Sequence, residues 1–312
     1  MGNRYSLSPD RRLIFSRLPL RFLDLKRSAD RHSCPRRRLS PERPSPQQIG
    51  PPSVTPPRID AHLHLPPVGP AGEHLFTTAH EAGIGILAVN STCEQDWPTI
   101  IHSARHCPAV KPFLGIHPWW AHEVIVGWQE RLLAELANTS AGIGEIGLDA
   151  LASASPLVQE TIFIPQLEMA ETLARTVTIH CCRRWGRLID LLNATCKKRS
   201  TVIIHGFNGS MEIMRRLLDI GAMLSFGPSL ADPSRVKVRQ AFQKAPLDRI
   251  LFESDWPPRV SASNNHPGQN AQGLPTPEMI LSNLYSVAAT LKDISPQQLQ
   301  TMVWNNGQIL TH

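Results

Sequence analysis

The chain has 312 residues, 41% of them hydrophobic, with a net charge of +6 and an isoelectric point near 9.2. This length suits either two ordinary domains or one α/β barrel of roughly 250 residues with an appendage. No apolar run approaches the roughly 20 residues of a membrane span. The six cysteines form no CxxC pair and no secretory leader is evident, which argues against a disulfide scaffold and predicts a soluble, cytoplasmic protein.

The charge is unevenly placed. Residues 1–57 hold 12 Lys and Arg against 4 acidic residues, which leaves 20 basic and 22 acidic side chains, a balance of −2, for residues 58–312. Overall charge therefore gives no warrant for a polyanionic partner across the larger part. The proline-rich run "PERPSPQQIGPPSVTPP" predicts a disordered basic N-terminal extension over 1–57. Its first half fits a basic amphipathic targeting segment, although Asp10, Asp24 and Asp30 interrupt it, and "MGNRYS" fits the M-G-x-x-x-[ST] acylation pattern. A tail without a targeting role is the competing reading.

From residue 58 onward, short β-branched runs alternate with longer helical patterns, as in βα units on a parallel sheet. The expected strands cover 58–64, 83–90, 110–118, 141–149, 176–180, 201–207, 221–227 and 249–255. Between them lie amphipathic stretches such as "EVIVGWQERLLAELANTS", "SPLVQETIFIPQLEMAETLAR" and "SMEIMRRLLDIGA". "TPEMILSNLYSVAATLK" and "SPQQLQTMVWNNGQIL" close the chain, the latter with Ser295 and Pro296 as N-cap and first helical residue. Eight alternations in about 255 residues predict a (β/α)8 TIM barrel over 58–312, whose active site belongs at the carboxyl ends of the strands.

The polar residues follow that rule. Asp60, His62 and His64 alternate along the first strand and so share a face. His62 and His64 close strand 1, His117 strand 3, His180 strand 5 and His205 strand 6, while Glu145 lies within strand 4 and Asp255 ends strand 8. One catalytic zinc takes three protein ligands and a water, so this set fits two divalent metal ions about 3.5–4 Å apart. Glu145, near Gly144 and Gly147, is the candidate bridge, and Asp255 the candidate ligand and acceptor of the attacking water's proton. His117 and Arg183 are candidate substrate contacts. Asp149 reads equally as support for an imidazole or as a local cap. Trp119, Trp120, Trp185 and Trp256 suit base stacking or an apolar pocket, and His74, His80, His102, His106 and His122 read as ordinary surface or packing residues.

Five motifs in order resemble the TatD family of metal-dependent hydrolases: "IDAHLH", "GEIGLD", "IHCCRRWGRL", "HGFNGS" and "FESDWP", the last with Ser254 where the family has Thr. The resemblance runs from about 58 to 310. It implies a two-metal site with His62, His64, Glu145 and Asp255 around one ion and Glu145, His180 and His205 around the other. It also implies zinc, magnesium or manganese, a monomer, and deoxyribonuclease activity of 3′ to 5′ exonuclease type on single-stranded DNA or nucleic-acid ends. The chain departs from the family in the bland "ALASAS" after "GLD" and in the long loop "RVSASNNHPGQNAQG", both on the substrate side. Phosphodiester hydrolysis is thus the leading expectation. Hydrolysis of a small amide, lactone or ester is the second, and a non-catalytic interaction protein on the same barrel the third, opposed by the cost of unsatisfied polar groups at one mouth.

Overall fold

In the computed structural model, residues 55–65, 74–197, 199–257 and 275–311 are described. The tail over 1–54 and the loop over 258–274, with Arg259, lie outside them. Of the expected tail, residues 55–57 are described, and Pro56 O accepts a hydrogen bond from Gln300 Nε2, so contacts with the barrel begin slightly before 58.

Eight parallel strands form one sheet in sequential order: β1 Arg58–Leu63, β2 Ile84–Asn90, β3 Val110–Leu114, β4 Gly142–Asp149, β5 Val177–Cys182, β6 Val202–Ile204, β7 Met223–Phe226 and β8 Ile250–Phe252. Around them lie α1 Leu75–Glu81, α2 Trp97–His106, α3 Trp128–Asn138, α4 Pro156–Leu173, α5 Trp185–Thr195, α6 Met211–Ile220, α7 Val236–Lys244, α8 Pro277–Lys292 and α9 Pro296–Gly307. Strands buried on both faces, by lumen side chains and by helices, read as apolar runs rather than alternations. Ile84, Leu87, Val89, Ile143, Ile146, Ile203, Leu224 and Leu251 are buried accordingly. The (β/α)8 barrel is as expected, and no helix among the described residues is long and apolar enough to cross a membrane.

The sheet closes where β8 meets β1. Asp255 N donates to His62 O (3.0 Å) and His64 N to Trp256 O (2.8 Å). Beneath them the Asp60 carboxylate accepts from Ser254 N (2.9 Å) and Ser254 Oγ (2.6 Å). Burial still pushes the Asp60 carboxyl up to about 7 against these bonds. Asp60 therefore fastens the last strand to the first and does not join His62 and His64 at their meeting point, contrary to the reading of all three as one group.

Several strands are shorter than expected at their carboxyl ends. β3 stops at Leu114, and His117 instead caps a 3-10 turn, Pro118–Trp120, accepting from Trp119 N. β8 stops at Phe252, and Asp255 adopts φ +50°. His205 directly follows β6, whereas His180 lies inside β5 rather than ending it. The mouth is made of backbone that leaves the ladder to aim side chains, which β-propensity alone does not reveal.

Helix α4 holds the backbone after β3 and at the end of β4. Its buried Gln166 accepts from Ile116 N (2.8 Å) and donates to Ile116 O (3.2 Å), clamping the residue before His117. Seven positions earlier, on the same face, Gln159 accepts from Asp149 N (2.8 Å) and donates to Asp149 O (2.9 Å).

Gly147 has φ +152°, and a Cβ there would lie 2.0 Å from the His180 carbonyl oxygen and 2.9 Å from its nitrogen, both backbone atoms. Gly147→Ala is expected to destabilise the protein by about 3 kcal/mol or more. Gly83→Ala, at φ +90° but in open space, is expected to cost about 1–2 kcal/mol. Urea unfolding midpoints of the two variants check the contrast.

Candidate metal centre

Glu145 stands at the centre of the mouth, 1% exposed. Its backbone N donates to Ser91 O (2.9 Å). The Ser91 hydroxyl accepts from Gly115 N (2.7 Å) and reaches Gly115 O (2.9 Å) and Gly144 O (3.1 Å). The end of β2 thus fixes the height of β3 and β4. Beside it, the Asn90 amide oxygen accepts from Thr178 Oγ1 on β5, and His64 Nδ1 bonds Asn90 O (3.0 Å).

The two Glu145 oxygens face different imidazoles. Oε2 lies 3.4 Å from His62 Nε2 and 3.4 Å from His64 Nε2, and those nitrogens are 3.3 Å apart. Oε1 lies 2.9 Å from His180 Nδ1 and 3.5 Å from both His117 Nε2 and His205 Nε2. Asp255 Oδ1 is 3.9 Å from His64 Nε2 and 4.0 Å from His205 Nε2, and its side chain is 35% exposed. Three overlapping groups have ligand atoms within 4.8 Å of one another: His62, Glu145 and His205; His62, His64 and Asp255; His117, Glu145 and His180. All six expected ligands meet. His117 joins them from below, buried and facing Glu145. Arg183 is exposed at the turn after β5, with φ +55°.

The donor set fits divalent metal. Ligand atoms about 2.0–2.1 Å from a tetrahedral zinc stand about 3.3–3.4 Å from one another, and the separations around Oε2 have that size. Among the described residues, His117 Nε2 and Glu145 Oε1 are buried and make no hydrogen bond although they face each other. Buried polar atoms are ordinarily satisfied, and a cation would satisfy both.

The electrostatics agree. Burial alone would raise the Glu145 carboxyl, but His117, His205 and His62 hold it well below the usual carboxylate range. Burial drives His62 well down, and His117 down to about 4, keeping both neutral with a lone pair free. Burial opposes charge on His205 as well, yet Glu253, Glu145 and Asp255 hold its pKa up near 10. His180 is likewise raised against burial by Asp149 and Glu145. Metal ligation by these two imidazoles requires loss of a proton.

The supporting residues were only partly legible. Asp149 serves both suggested purposes: Oδ2 contacts His180 Nε2 (3.2 Å) and accepts from Trp119 Nε1 (2.8 Å), while Oδ1 caps Leu151 N (2.7 Å). Glu253, fully buried, places Oε1 2.9 Å from His205 Nδ1 and accepts from Gly206 N (2.7 Å). It was not among the expected residues. The available signal was an acidic residue ending the apolar run "RILF", two positions before Asp255.

An eight-stranded parallel barrel with a histidine and carboxylate cluster at its carboxyl mouth defines the class of metal-dependent hydrolases. The TatD related DNase family matches residues 59–312, and the chain belongs to the TatD family. It is 26% identical over 258 residues to the uncharacterized metal-dependent hydrolase YjjV of Escherichia coli K12, covering 81% of this chain and 96% of that one. It is 27% identical over 206 residues to the 3′-5′ ssDNA/RNA exonuclease TatD of Escherichia fergusonii, covering 62% and 79%. The crystal structure of E. coli YjjV superposes with a TM-score of 0.71 at 25% identity over 81% of this chain and 97% of that chain. A TatD family hydrolase from Entamoeba histolytica shares the fold, with a TM-score of 0.69 at 17% identity over 83% and 99%.

Glu253→Ala removes the partner of His205 Nδ1 without replacing any of the six expected ligands. Metal affinity is expected to fall roughly 10- to 100-fold, and less in Glu253→Gln, which keeps the acceptor. Competition titration against a chromophoric chelator measures both.

Proposed function

We propose that the protein is a two-metal phosphodiesterase of nuclease type, removing nucleotides 3′ to 5′ from single-stranded DNA or from nucleic-acid ends. The observation that carries the reading is Glu145, whose two carboxylate oxygens face separate imidazole sets and so suit a bridge between two ions. His62, His64 and Asp255 would hold one ion with Oε2, and His180 and His205 the other with Oε1. The names of the TatD exonuclease relatives support the substrate class. Zinc, magnesium or manganese bound there would act as Lewis acids on a phosphoryl oxygen and lower the pKa of a coordinated water.

The chain's own groups supply the rest. Asp255 is the one cluster carboxylate with substantial exposure, and it lies about equally far from His64 and His205. It can take the attacking water's proton and pass it to solvent. Arg183 stands at the rim in a left-handed conformation that a non-glycine residue adopts at a price in backbone energy, and it neutralises a phosphate oxygen. His117 is buried with Nε2 3.5 Å from Glu145 Oε1, so helping to hold the ion on that side fits it better than a substrate contact. Trp119 is pinned through Asp149 and forms part of the wall beside them.

Full-chain protein supplied with zinc, magnesium or manganese is expected to release mononucleotides from 3′-end-labelled single strands in preference to turning over a panel of small esters, lactones and amides. The reverse preference would replace this reading with the small-ester or amide alternative. Asp255→Asn is expected to lower kcat by about 10²–10⁴-fold while the thermal midpoint stays near the parent's. Glu145→Ala is expected to lose both nucleotide release and stoichiometric metal. Nucleotide release that persists in Glu145→Ala would remove its support.

A further inference from the structure

The mouth has a second concavity outside the metal cluster. A cleft of about 520 Å³ is bordered by Asn208, from the loop after β6, and by Ser229, Ser234, Arg235 and Lys237, from the segment joining β7 to α7. Asn208 follows His205 by three residues, so their Cα atoms stand no more than about 11 Å apart. The cleft therefore opens beside the cluster, at the carboxyl end of the barrel, over β6 and β7.

Its charge is one-sided. Residues 228–244 carry Arg235, Lys237, Arg239 and Lys244 against Asp232 alone. Asp232 and Arg235 approach to 3.6 Å with both side chains exposed, an arrangement that contributes little and leaves the guanidinium free to meet an anion. Arg239 donates to Leu230 O (3.0 Å), tying the 3-10 turn after β7 to α7. Four strands away, and so across the eight-stranded ring, the loops after β2 and β3 (91–97 and 115–128) carry Glu94, Asp96 and Glu123 and no Lys or Arg, and Glu94 is neutralised by Arg131 of α3 (2.7 and 3.0 Å). A smaller cleft of about 280 Å³ there is lined by Ile116, Trp120, Val124 and Glu123. The histidine and carboxylate cluster lies between a cationic side and a largely apolar one.

We propose that the cleft at Arg235 and Lys237 binds the sugar-phosphate backbone of the single strand, one or two nucleotides from the bond being cut. The inference rests on the phosphodiesterase reading and adds a direction: the body of the strand leaves over β6 and β7, and its terminal nucleoside faces the Trp120 side. The volume is that of a small-ligand site. Beside Val236 and Val238 its border offers cations, hydroxyls and an amide, the groups that contact phosphate and sugar, and no aromatic ring on which a base would stack.

The test uses the full chain with Arg235→Glu and Lys237→Glu combined, and as control Arg105→Glu with Lys111→Glu, an equal charge change at the amino end of the barrel. Binding of a fluorescent single-stranded decamer is followed by anisotropy in chelator, across a salt series. Hydrolysis with metal is read as the ratio of kcat/KM for the decamer to that for a dinucleotide. The cleft variant is expected to bind about tenfold or more weakly, with a salt slope shallower by about 0.7 for each phosphate it no longer neutralises, and its ratio is expected to fall about tenfold. The control should keep the parent's values. Lys237→Gln, the milder change, should show a smaller loss in the same direction.

Parental binding and ratio in the cleft variants, or equal losses in the control, overturn the proposal. A parent that cleaves strands while the cleft variants match it fails the cleft alone. A parent that binds the decamer through these residues yet hydrolyses no phosphodiester bond fails the nuclease reading and keeps the cleft.

Discussion

The fold is organised around one costly object, a fully buried carboxylate. An ionised Glu145 in a dry barrel lumen is destabilising unless positive charge or hydrogen-bond donors surround it. The chain answers with imidazoles from β1, β5 and the loops after β1, β3 and β6, all within 3.5 Å of one oxygen or the other. Four of them, His62, His117, His180 and His205, are in turn buried, and burial opposes charge on each. The cluster is therefore collective: removing one group changes the protonation of the rest. A divalent cation held by these groups would resolve this tension by supplying fixed positive charge to side chains already spaced as ligands are.

Such a centre needs strands at fixed relative heights, and two hydrogen-bonded devices set them. Asp60 and Ser254 join the first strand to the last directly below His62, so ring closure and ligand placement are one event. Ser91 ties Gly115, Gly144 and Glu145 into one layer. Around this polar floor the apolar face of each helix is packed, and Gln159 and Gln166 of α4 carry the helix layer's position to Asp149 and to the residue before His117. Stability and site geometry are carried by the same contacts, which is why replacements of small residues such as Gly147 bear on both.

Much of this was legible because barrels put chemistry at strand ends. The i, i+2 spacing of His62 and His64 identified a shared face, and the eight alternations identified the barrel. The same spacing misassigned Asp60, because position on a face does not say how deep a side chain lies, and Asp60 is one layer lower. His180 was misplaced at the end of β5 because nothing in "TIHCC" marks where the ladder stops. Ser91, Gln159 and Gln166 act through backbone partners 10 to 53 residues distant in the chain, and no local pattern predicts such bonds. Glu253 was hidden by its neighbour: Asp255 absorbed the chemical reading of the last strand, although the more deeply buried acid is the one that touches His205.

Net charge misleads in a related way. A balance of −2 over residues 58–312 gives no average attraction for a polyanion, yet a substrate end samples only the field at the mouth, within about a Debye length of 8–10 Å. There the side over β5 to β7 presents Arg183, Arg235 and Lys237, while the opposite side has Asp96 and Glu123, its Glu94 being paired with Arg131 of α3. Arg184 and Arg187 add little to that field, being paired with Glu160 on α4. A mouth that is cationic on one side only, on a near-neutral barrel, would orient an anionic strand end more than it attracts it. On the proposed nuclease reading, preference for one end over the other would arise from which sector each part of the strand can occupy, with the histidine and carboxylate cluster between them.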